Sequence, residues 1–367
     1  MNQRYKRWGI IALLVLWLAL TIFAWIKPQT DISEAERRKL ALFPPLSLSG
    51  LLNGSFTGSF ESYATDQFPL REFFRGLKSR FHFNFLGQLD NNDIYLVDGY
   101  AAKIEYPLNQ GSITHAKDRI NYIYNKFLKN TDCSVTLSIV PDKSYYLAAA
   151  HSYPALDYEE LVAQIRSCIP FDRYVDLFDA LTIEDYYRSD THWRQEQLPK
   201  IADRLCEALG ISKASFEDYR HVAIDVPFYG VYRGQAALPM DAEQVVTLRS
   251  KVLDNCKVYN YETERYSSIY DASKVTSRDL YDIYLSGAAA LLRIENPAQD
   301  SGRELIVFRD SFGSSMIPLL AHGYQTITVV DTRYMSPDIL GQFITFDEQD
   351  VLFLYSTTVI NNSSAMK

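Results

Sequence analysis

Cysteine is scarce in this 367-residue chain, and the four present, Cys133, Cys168, Cys206 and Cys256, are widely spaced. Such spacing is not that of a zinc or other metal site, and no His/Cys cluster makes up for it. No glycine-rich phosphate loop is present, so a nucleotide enzyme is not expected. Basic residues are not in excess: 37 Lys and Arg stand against 45 Asp and Glu, a formal charge of -8. That balance gives no support to a nucleic-acid partner. Low-complexity tails and regular repeats are also lacking. No metal and no cofactor is expected.

What is present is globular in composition, with 47% hydrophobic and 14% aromatic residues. The 26 tyrosines would suit stacking on sugar rings. A place in the core or on half-buried strands is the plainer expectation, and the one we favour. An even cysteine number permits disulfides without requiring them. Cys133 begins one apolar strand and Cys168 precedes another, so that pair is the first guess, with free thiols as the alternative.

The first eight residues carry Arg4, Lys6 and Arg7 and no acid. Residues 9–26 are then uncharged and largely apolar, and about 18 such residues can span a bilayer. Trp8 and Trp25 stand near the two ends, where interfacial tryptophans are favoured. Basic residues before the span predict a cytoplasmic amino terminus. No small-x-small cleavage site follows, so an uncleaved signal-anchor is expected, with the main domain outside the cell membrane. We divide the chain into a cytoplasmic tip and anchor (1–27), a linker and lead-in rich in Pro and Gly (28–59), and one extracellular domain (60–367). Within that domain, residues 60–86 predict an amphipathic helix broken at Pro69. Its apolar stripe, Phe73, Phe74, Leu77, Phe81 and Phe85, is assigned to the core.

From about residue 113 helices and strands alternate. Helix-like stretches cover 113–130, 158–167 and 197–209, the last starting near Pro199 and closed by Gly210. Strands are expected at 134–140, 174–178, 305–308, 326–330 and 351–354. This pattern predicts an α/β fold with a mostly parallel sheet covered by helices on both faces. Residues 221–275 differ, with short strands such as 245–248 and 257–261 and few helices, and predict a β-rich insertion.

The run Leu305-Ile306-Val307-Phe308 reads as a strand buried on both faces. Arg309-Asp310-Ser311 turns at its end, and Gly313 opens a helix-like run toward His322. Strand, sharp turn with serine, then helix is how α/β hydrolases place a nucleophile at the carboxyl edge of a sheet. A helix-capping serine is the simpler alternative. Asp190-Thr191-His192-Trp193 supplies a base: in an extended segment Asp190 and His192 project to one side, so Asp190 could orient His192 toward Ser311. The backbone N–H of Ser311 or Phe312 could bind an oxyanion. Asp310 is expected to serve the turn. Lys143, Arg309, Arg333 and Tyr334 lie beside strand ends and are candidate substrate contacts, ordinary surface ion pairs being the alternative. His322 reads as a helix-end histidine.

These motifs resemble those of the DHHW proteins, which are similar in turn to the SGNH-hydrolase-like alginate O-acetyltransferases. Asp190-Thr191-His192-Trp193 matches the Asp-His-His-Trp signature except at Thr191. Ser33 to Leu40 with Phe43-Pro44, Phe60-Glu61-Ser62-Tyr63 with Asp66 to Arg71, Val140-Pro141-Asp142-Lys143, and Arg309 to Phe312 through Val330 to Tyr334 resemble the family's other boxes in order. The resemblance implies an SGNH-like sheet and assigns Ser311, His192 and Asp190 as nucleophile, base and orienter. It implies O-acetylation of an extracellular polysaccharide, with acyl groups arriving from a membrane-bound O-acyltransferase partner. A polysaccharide acetylesterase would use the same three residues. A non-catalytic wall- or polysaccharide-binding protein, or a scaffold in a secretion complex, would leave them unexplained.

Overall fold

The structure is a computed structural model that describes residues 3–212, 214 and 218–367. It divides into two compact units, Met1–Asn92 with Arg233–Met240, and Asp93–Tyr232 with Asp241–Lys367.

The first unit is helical. α1 (Gln3–Ile26) is long and apolar enough to cross a membrane, with a mean hydropathy of 2.6 over its most apolar window and none of that window buried. α2 (Leu48–Leu52) is capped by the Ser47 hydroxyl, which accepts from the Gly50 N–H. α3 (Ser55–Asp66) and α4 (Arg71–Asn84) follow. Between them the chain breaks at Pro69, and Leu70 takes a left-handed φ of 56°. The break falls where the sequence predicts it. The apolar stripe of α4, however, is not core: Phe73, Phe74, Leu77, Phe81 and Phe85 are all exposed. The period is right and the sense reversed. The inner face of α4 is Arg71, Arg75 and Ser79. Arg71 pairs with Glu36 at 2.6 Å, and Arg75 donates to the carbonyls of Gly234 and Gln235 at 2.8 and 2.9 Å. Charged groups that find such partners can take the inside of a helix.

The second unit opens with a hairpin, β1 (Ile94–Val97) and β2 (Tyr100–Lys103), turned by Asp98 and Gly99 at positive φ. Both φ values are positive, as a two-residue hairpin turn requires. α5 (Gln110–Ile123), β3 (Ser134–Val140), α6 (Tyr158–Arg166), β4 (Arg173–Asp176) and α7 (Pro199–Leu209) come next. The Asn109 and Asp157 side chains cap α5 and α6, and Gly210 at φ 64° ends α7. β5 (Arg220–Ala223) pairs antiparallel with β6 (Val246–Arg249) as a separate ribbon. β7 (Lys257–Asn260), β8 (Arg265–Ser267), β9 (Leu291–Glu295), β10 (Glu304–Arg309), α8 (Gly313–Leu320), β11 (Thr326–Val330), β12 (Asp350–Ser356) and α9 (Thr357–Asn361) complete it.

The central sheet has the order β8-β7-β9-β11-β10-β12-β3-β4. β11, β10, β12, β3 and β4 run parallel. β9, β7 and β8 extend the β11 edge in antiparallel pairs. The expected β-rich insertion therefore splits: its first part is the β5–β6 ribbon and its last part joins the main sheet. Side chains of β10 alternate between two cores. Leu305 and Val307 join a cluster with Ile201 and Leu205 of α7 and Met316 and Leu320 of α8. Ile306 and Phe308 join Ile113 and Ile120 of α5 and Leu161 and Ile165 of α6. Burial of such a side chain is worth about 1.5–3 kcal/mol, and helices on both faces explain why these strands are apolar throughout.

The four cysteines are free thiols. Cys133 and Cys168 are not paired with each other, contrary to the first guess: the Cys133 thiol reaches Gln349 Oε1 at 3.6 Å, and both residues pack against the second core. The tyrosines of this unit are mainly buried or half-buried, with Tyr95, Tyr186, Tyr187, Tyr284 and Tyr355 in the core.

Candidate active site

Ser311 stands at the carboxyl end of β10, between the parallel strands β11 and β12, before α8. Asp310 shapes the turn. Its Oδ1 accepts from the Phe312 N–H at 3.0 Å and its Oδ2 from the Ser356 N–H at 2.7 Å, tying the turn to the end of β12. Of the two N–H groups expected to face an oxyanion, that of Phe312 is thus already engaged. Ser311 N–H has no acceptor among the described residues.

Asp190 and His192 lie in a loop whose stem is closed by the Tyr186–Trp193 bridge. Asp190 is fully buried. Its Oδ1 accepts from His192 Nδ1 at 2.6 Å and from the His192 backbone N–H at 3.1 Å. Its Oδ2 accepts from the Val231 N–H at 2.7 Å. His192 Nε2 lies 2.8 Å from Ser311 Oγ. With Nδ1 donating to the carboxylate, Nε2 is left as the acceptor for the serine proton.

Trp193, also fully buried, donates Nε1–H to the Phe312 carbonyl at 3.1 Å and to Ser315 Oγ at 2.9 Å. Gln195 Nε2 donates to the Ser315 carbonyl at 2.8 Å. The base-bearing loop is therefore pinned to the first turn of the serine's helix. Two contributors escape the sequence reading. Tyr281 stacks flat on His192, with ring centroids 4.0 Å apart and planes at 10°, and its hydroxyl bonds Ser315 Oγ at 2.7 Å. Burial raises the Tyr281 pKa well above its ordinary value, so the hydroxyl stays protonated. Gly230 is the second: a Cβ there would sit 2.2 Å from the Ser189 carbonyl carbon. Its own N–H donates to Ser189 Oγ at 3.1 Å.

Lys143 is 2% exposed. Its ammonium donates to the carbonyls of Tyr187 and Arg188 at 3.0 and 3.1 Å and lies over the Tyr232 ring. Burial lowers its pKa to about 7. It holds the loop leading into Asp190 from inside. Arg309 is fully buried as well, donating to Ser314 Oγ, the Asp310 carbonyl and the Gly287 carbonyl at 3.0 to 3.2 Å, with Asp331 at 3.6 Å. Desolvation lowers its pKa. Arg333 is held by both oxygens of Asp331, at 2.9 and 2.7 Å. Tyr334 is 47% exposed. The structure thus brings Asp190, His192 and Ser311 together, turns Lys143 and Arg309 inward, pairs Arg333 and leaves Tyr334 facing solvent. His322 is away from this relay, beside Ser250 Oγ at 3.2 Å, and burial lowers its pKa. Among the described residues no group of three or more His, Cys, Asp or Glu could hold a metal ion.

Asp142 ends the β3 edge in the same economical way. Its carboxylate accepts from the Thr357 hydroxyl at 2.8 Å, the Ser144 N–H at 2.8 Å and the Tyr158 hydroxyl at 3.0 Å. Burial still raises its pKa.

A mostly parallel sheet with helices on both faces and a serine–histidine–aspartate relay at its carboxyl edge defines an SGNH-like α/β fold. The family model described as DHHW protein matches residues 176–330, so the resemblance read from the sequence holds over the stretch that carries all three residues. Among solved structures, a DHHW family protein from Eubacterium siraeum DSM 15702 is similar at 20% identity, over 74% of this chain and 92% of that one, with a TM-score of 0.59. Bacillus cereus PatB1 with a sulfonyl adduct is similar at 18% identity, over 73% and 95%, with a TM-score of 0.57. The O-acetyltransferase domain of Pseudomonas putida AlgJ aligns at 12% identity over 73% and 92%, with a TM-score of 0.44, too remote to argue from. By sequence no curated protein matches. At these identities the likeness is one of fold.

Proposed function

We propose that the chain is a membrane-anchored O-acetyltransferase that acts on a cell-surface or secreted polysaccharide through a serine acyl-enzyme. The observation that carries this reading is the continuous relay from Asp190 Oδ1 through His192 to Ser311 Oγ, at 2.6 and 2.8 Å. His192 takes the Ser311 proton as Oγ attacks the acyl carbonyl, then returns a proton to the leaving group. The resulting ester is resolved when a sugar hydroxyl attacks, with His192 again as base. Asp190 keeps the imidazole in the required tautomer, and the Ser311 N–H faces the oxyanion. The acetyl group and the polysaccharide come from the family resemblance. PatB1's sulfonyl adduct adds a chemical probe, because activated nucleophiles attack sulfonyl reagents and displace their leaving group. Tyr334, an exposed aromatic after β11, is assigned in this reading to stack on a sugar ring. α1 anchors the chain, with its amino terminus cytoplasmic and its main domain outside.

The test uses the full chain in detergent micelles beside Ser311→Ala. A chromogenic acetyl ester is supplied with and without oligosaccharide acceptors. Turnover and sulfonyl fluoride labelling confined to the parent, with acetylated oligosaccharide by mass spectrometry, support the transferase. Acetate release without acetylated sugar makes it an esterase. Equal turnover by Ser311→Ala removes the serine and the proposal with it.

A further inference from the structure

The unexplained feature of the helical unit is the sense in which α4 faces. Phe73, Leu77, Phe81 and Phe85 recur every fourth residue and form one stripe along the helix. They are 64%, 53%, 47% and 76% exposed. Phe81 and Phe85 stack on each other at 4.8 Å, so the stripe is a continuous apolar surface. The opposite stripe, Arg71, Arg75 and Ser79, is drawn inward by Glu36 and the Gly234 and Gln235 carbonyls. A helix on a water-soluble unit turns these two stripes the other way. Exposed apolar surface of this extent and regularity needs a covering.

Two independent observations name that covering. First, α1 belongs to the same unit and lies against α3. Trp17, Leu20, Ala24 and Trp25 of α1 line a pocket with Phe60 and Tyr63. If the last turns of α1 are in a bilayer, its surface reaches this unit. Second, the charge is distributed unevenly. The unit formed by Met1–Asn92 and Arg233–Met240 holds 12 of the 37 basic residues and 7 of the 45 acidic ones, a formal charge of +5, or +2 without Arg4, Lys6 and Arg7, which the proposed topology puts on the other side of the bilayer. The remaining 25 and 38 give the other unit -13. Lys78 and Arg80 are exposed and flank the stripe on its two sides. Apolar stripe, flanking cations and a basic unit are what a helix lying in an anionic bilayer surface requires. The cations reach headgroups while their stems follow the apolar boundary.

We propose that α4 lies in the plane of the membrane, with Phe73, Leu77, Phe81 and Phe85 in the acyl boundary and Lys78 and Arg80 among anionic headgroups. It is a second, monotopic attachment beside α1. The inference rests on α1 being the anchor, as proposed above.

The full chain is reconstituted at high lipid excess into vesicles of phosphatidylglycerol and phosphatidylethanolamine. It is irradiated with a lipid-soluble aryl diazirine, and the labelled peptides are mapped by mass spectrometry. The expected result is label on α4 peptides about tenfold above the exposed-tyrosine peptides of the sheet unit, alongside label on α1. Phe81→Glu with Phe85→Glu removes the α4 label and leaves that of α1. Lys78→Glu with Arg80→Glu weakens the α4 label several-fold in anionic vesicles and leaves it unchanged in phosphatidylcholine. All these side chains point outward, so circular dichroism of the variants should match the parent. Label on α1 without α4 overturns the inference and keeps the anchor. Label on α4 without α1 removes the anchor reading alone. Label on neither removes both.

Discussion

α4 and α7 share a period and differ in direction. α7 buries Ile201, Ala202, Leu205, Cys206 and Leu209 against a sheet face of Leu305, Val307 and Leu352, and leaves Lys200 and Arg204 half-exposed. α4 buries Ser79, turns the half-buried Arg71 and Arg75 inward and exposes its phenylalanines. What differs is the neighbour. α7 meets an apolar sheet, whereas α4 meets Glu36, Asp66 and the carbonyls of Gly234 and Gln235. Spacing tells which residues share a face; the partner decides which face is inside. The sheet unit buries charge too, at Asp190, Lys143, Arg309 and Asp142, but each is met by protein donors or acceptors. Buried charge in one unit serves a relay and in the other a scaffold.

The largest expected effect separates these two uses. Asp190→Asn keeps the shape of the loop and removes the acceptor that fixes the His192 tautomer. It should cut kcat for the chromogenic ester by about 10⁴-fold while leaving the melting temperature close to the parent. Loss of folding together with activity would show that Asp190 is scaffold, like Glu36, and erase the distinction. Gly230→Ala should do the reverse and lower both. The added Cβ falls within 2.3 Å of the Ser189 and Asp190 backbone, where neither flexible side chain nor void can yield. A stability loss of about 3 kcal/mol or more is expected, read by urea denaturation, with the Val231–Asp190 contact displaced.

Lys143 sharpens the comparison through pH. Burial holds its pKa at about 7 in the folded chain, against about 10.4 when unfolded. Between these values the unfolded chain keeps a proton that the folded chain has released, so stability rises with pH across that window. Below pH 7 the cost of burying the ammonium is fully present. In Lys143→Met that dependence disappears. Unfolding free energies of parent and variant from urea titrations, taken from pH 7 to 9.5, should therefore move in the parent's favour by about 3 kcal/mol. A constant difference would mean the ammonium stays charged throughout, satisfied by its two carbonyls.

Much of the sheet unit was legible because its signals are local. The buried run of β10, Pro199 and Gly210 at the ends of α7 and the Asp-x-His spacing each depend on a few adjacent residues. Ser311, His192 and Asp190 could be matched across more than a hundred residues because a strand end, a turn and a base form a recognisable set. Tyr281 had no such set: a tyrosine in a chain of 26 carries no mark of the ring it will stack on. Gly230 looks like any loop glycine until the Ser189 backbone arrives beside it. β9 is short, and Arg293 and Glu295 interrupt its pattern, so its place between β7 and β11 is set by pairing alone. Lys143 and Arg309 were correctly placed at strand ends, yet sequence position does not say whether a side chain turns outward to ligand or back into its own loops. The cysteines failed for a related reason, since similar strand-edge positions do not bring two thiols together.

The smallest effects test the reversed helix itself. Arg75→Ala removes a guanidinium that is 15% exposed and bonds Glu72 and two carbonyls. Those carbonyls keep the Ala237 N–H and the Asn92 side-chain amide as donors, so the loss of the charged hydrogen bonds should cost about 1–2 kcal/mol. Phe81→Ser removes a large apolar side chain from an exposed position and should change stability in detergent by less than about 0.5 kcal/mol. In an ordinary amphipathic helix the order would be opposite, since a buried phenylalanine truncation costs about 3–5 kcal/mol and a surface arginine almost nothing. Thermal melts of the full chain carrying each substitution decide between the two orders. If Phe81→Ser proves the costlier change, α4 packs its aromatics inward in solution, and the bilayer has no stripe to receive.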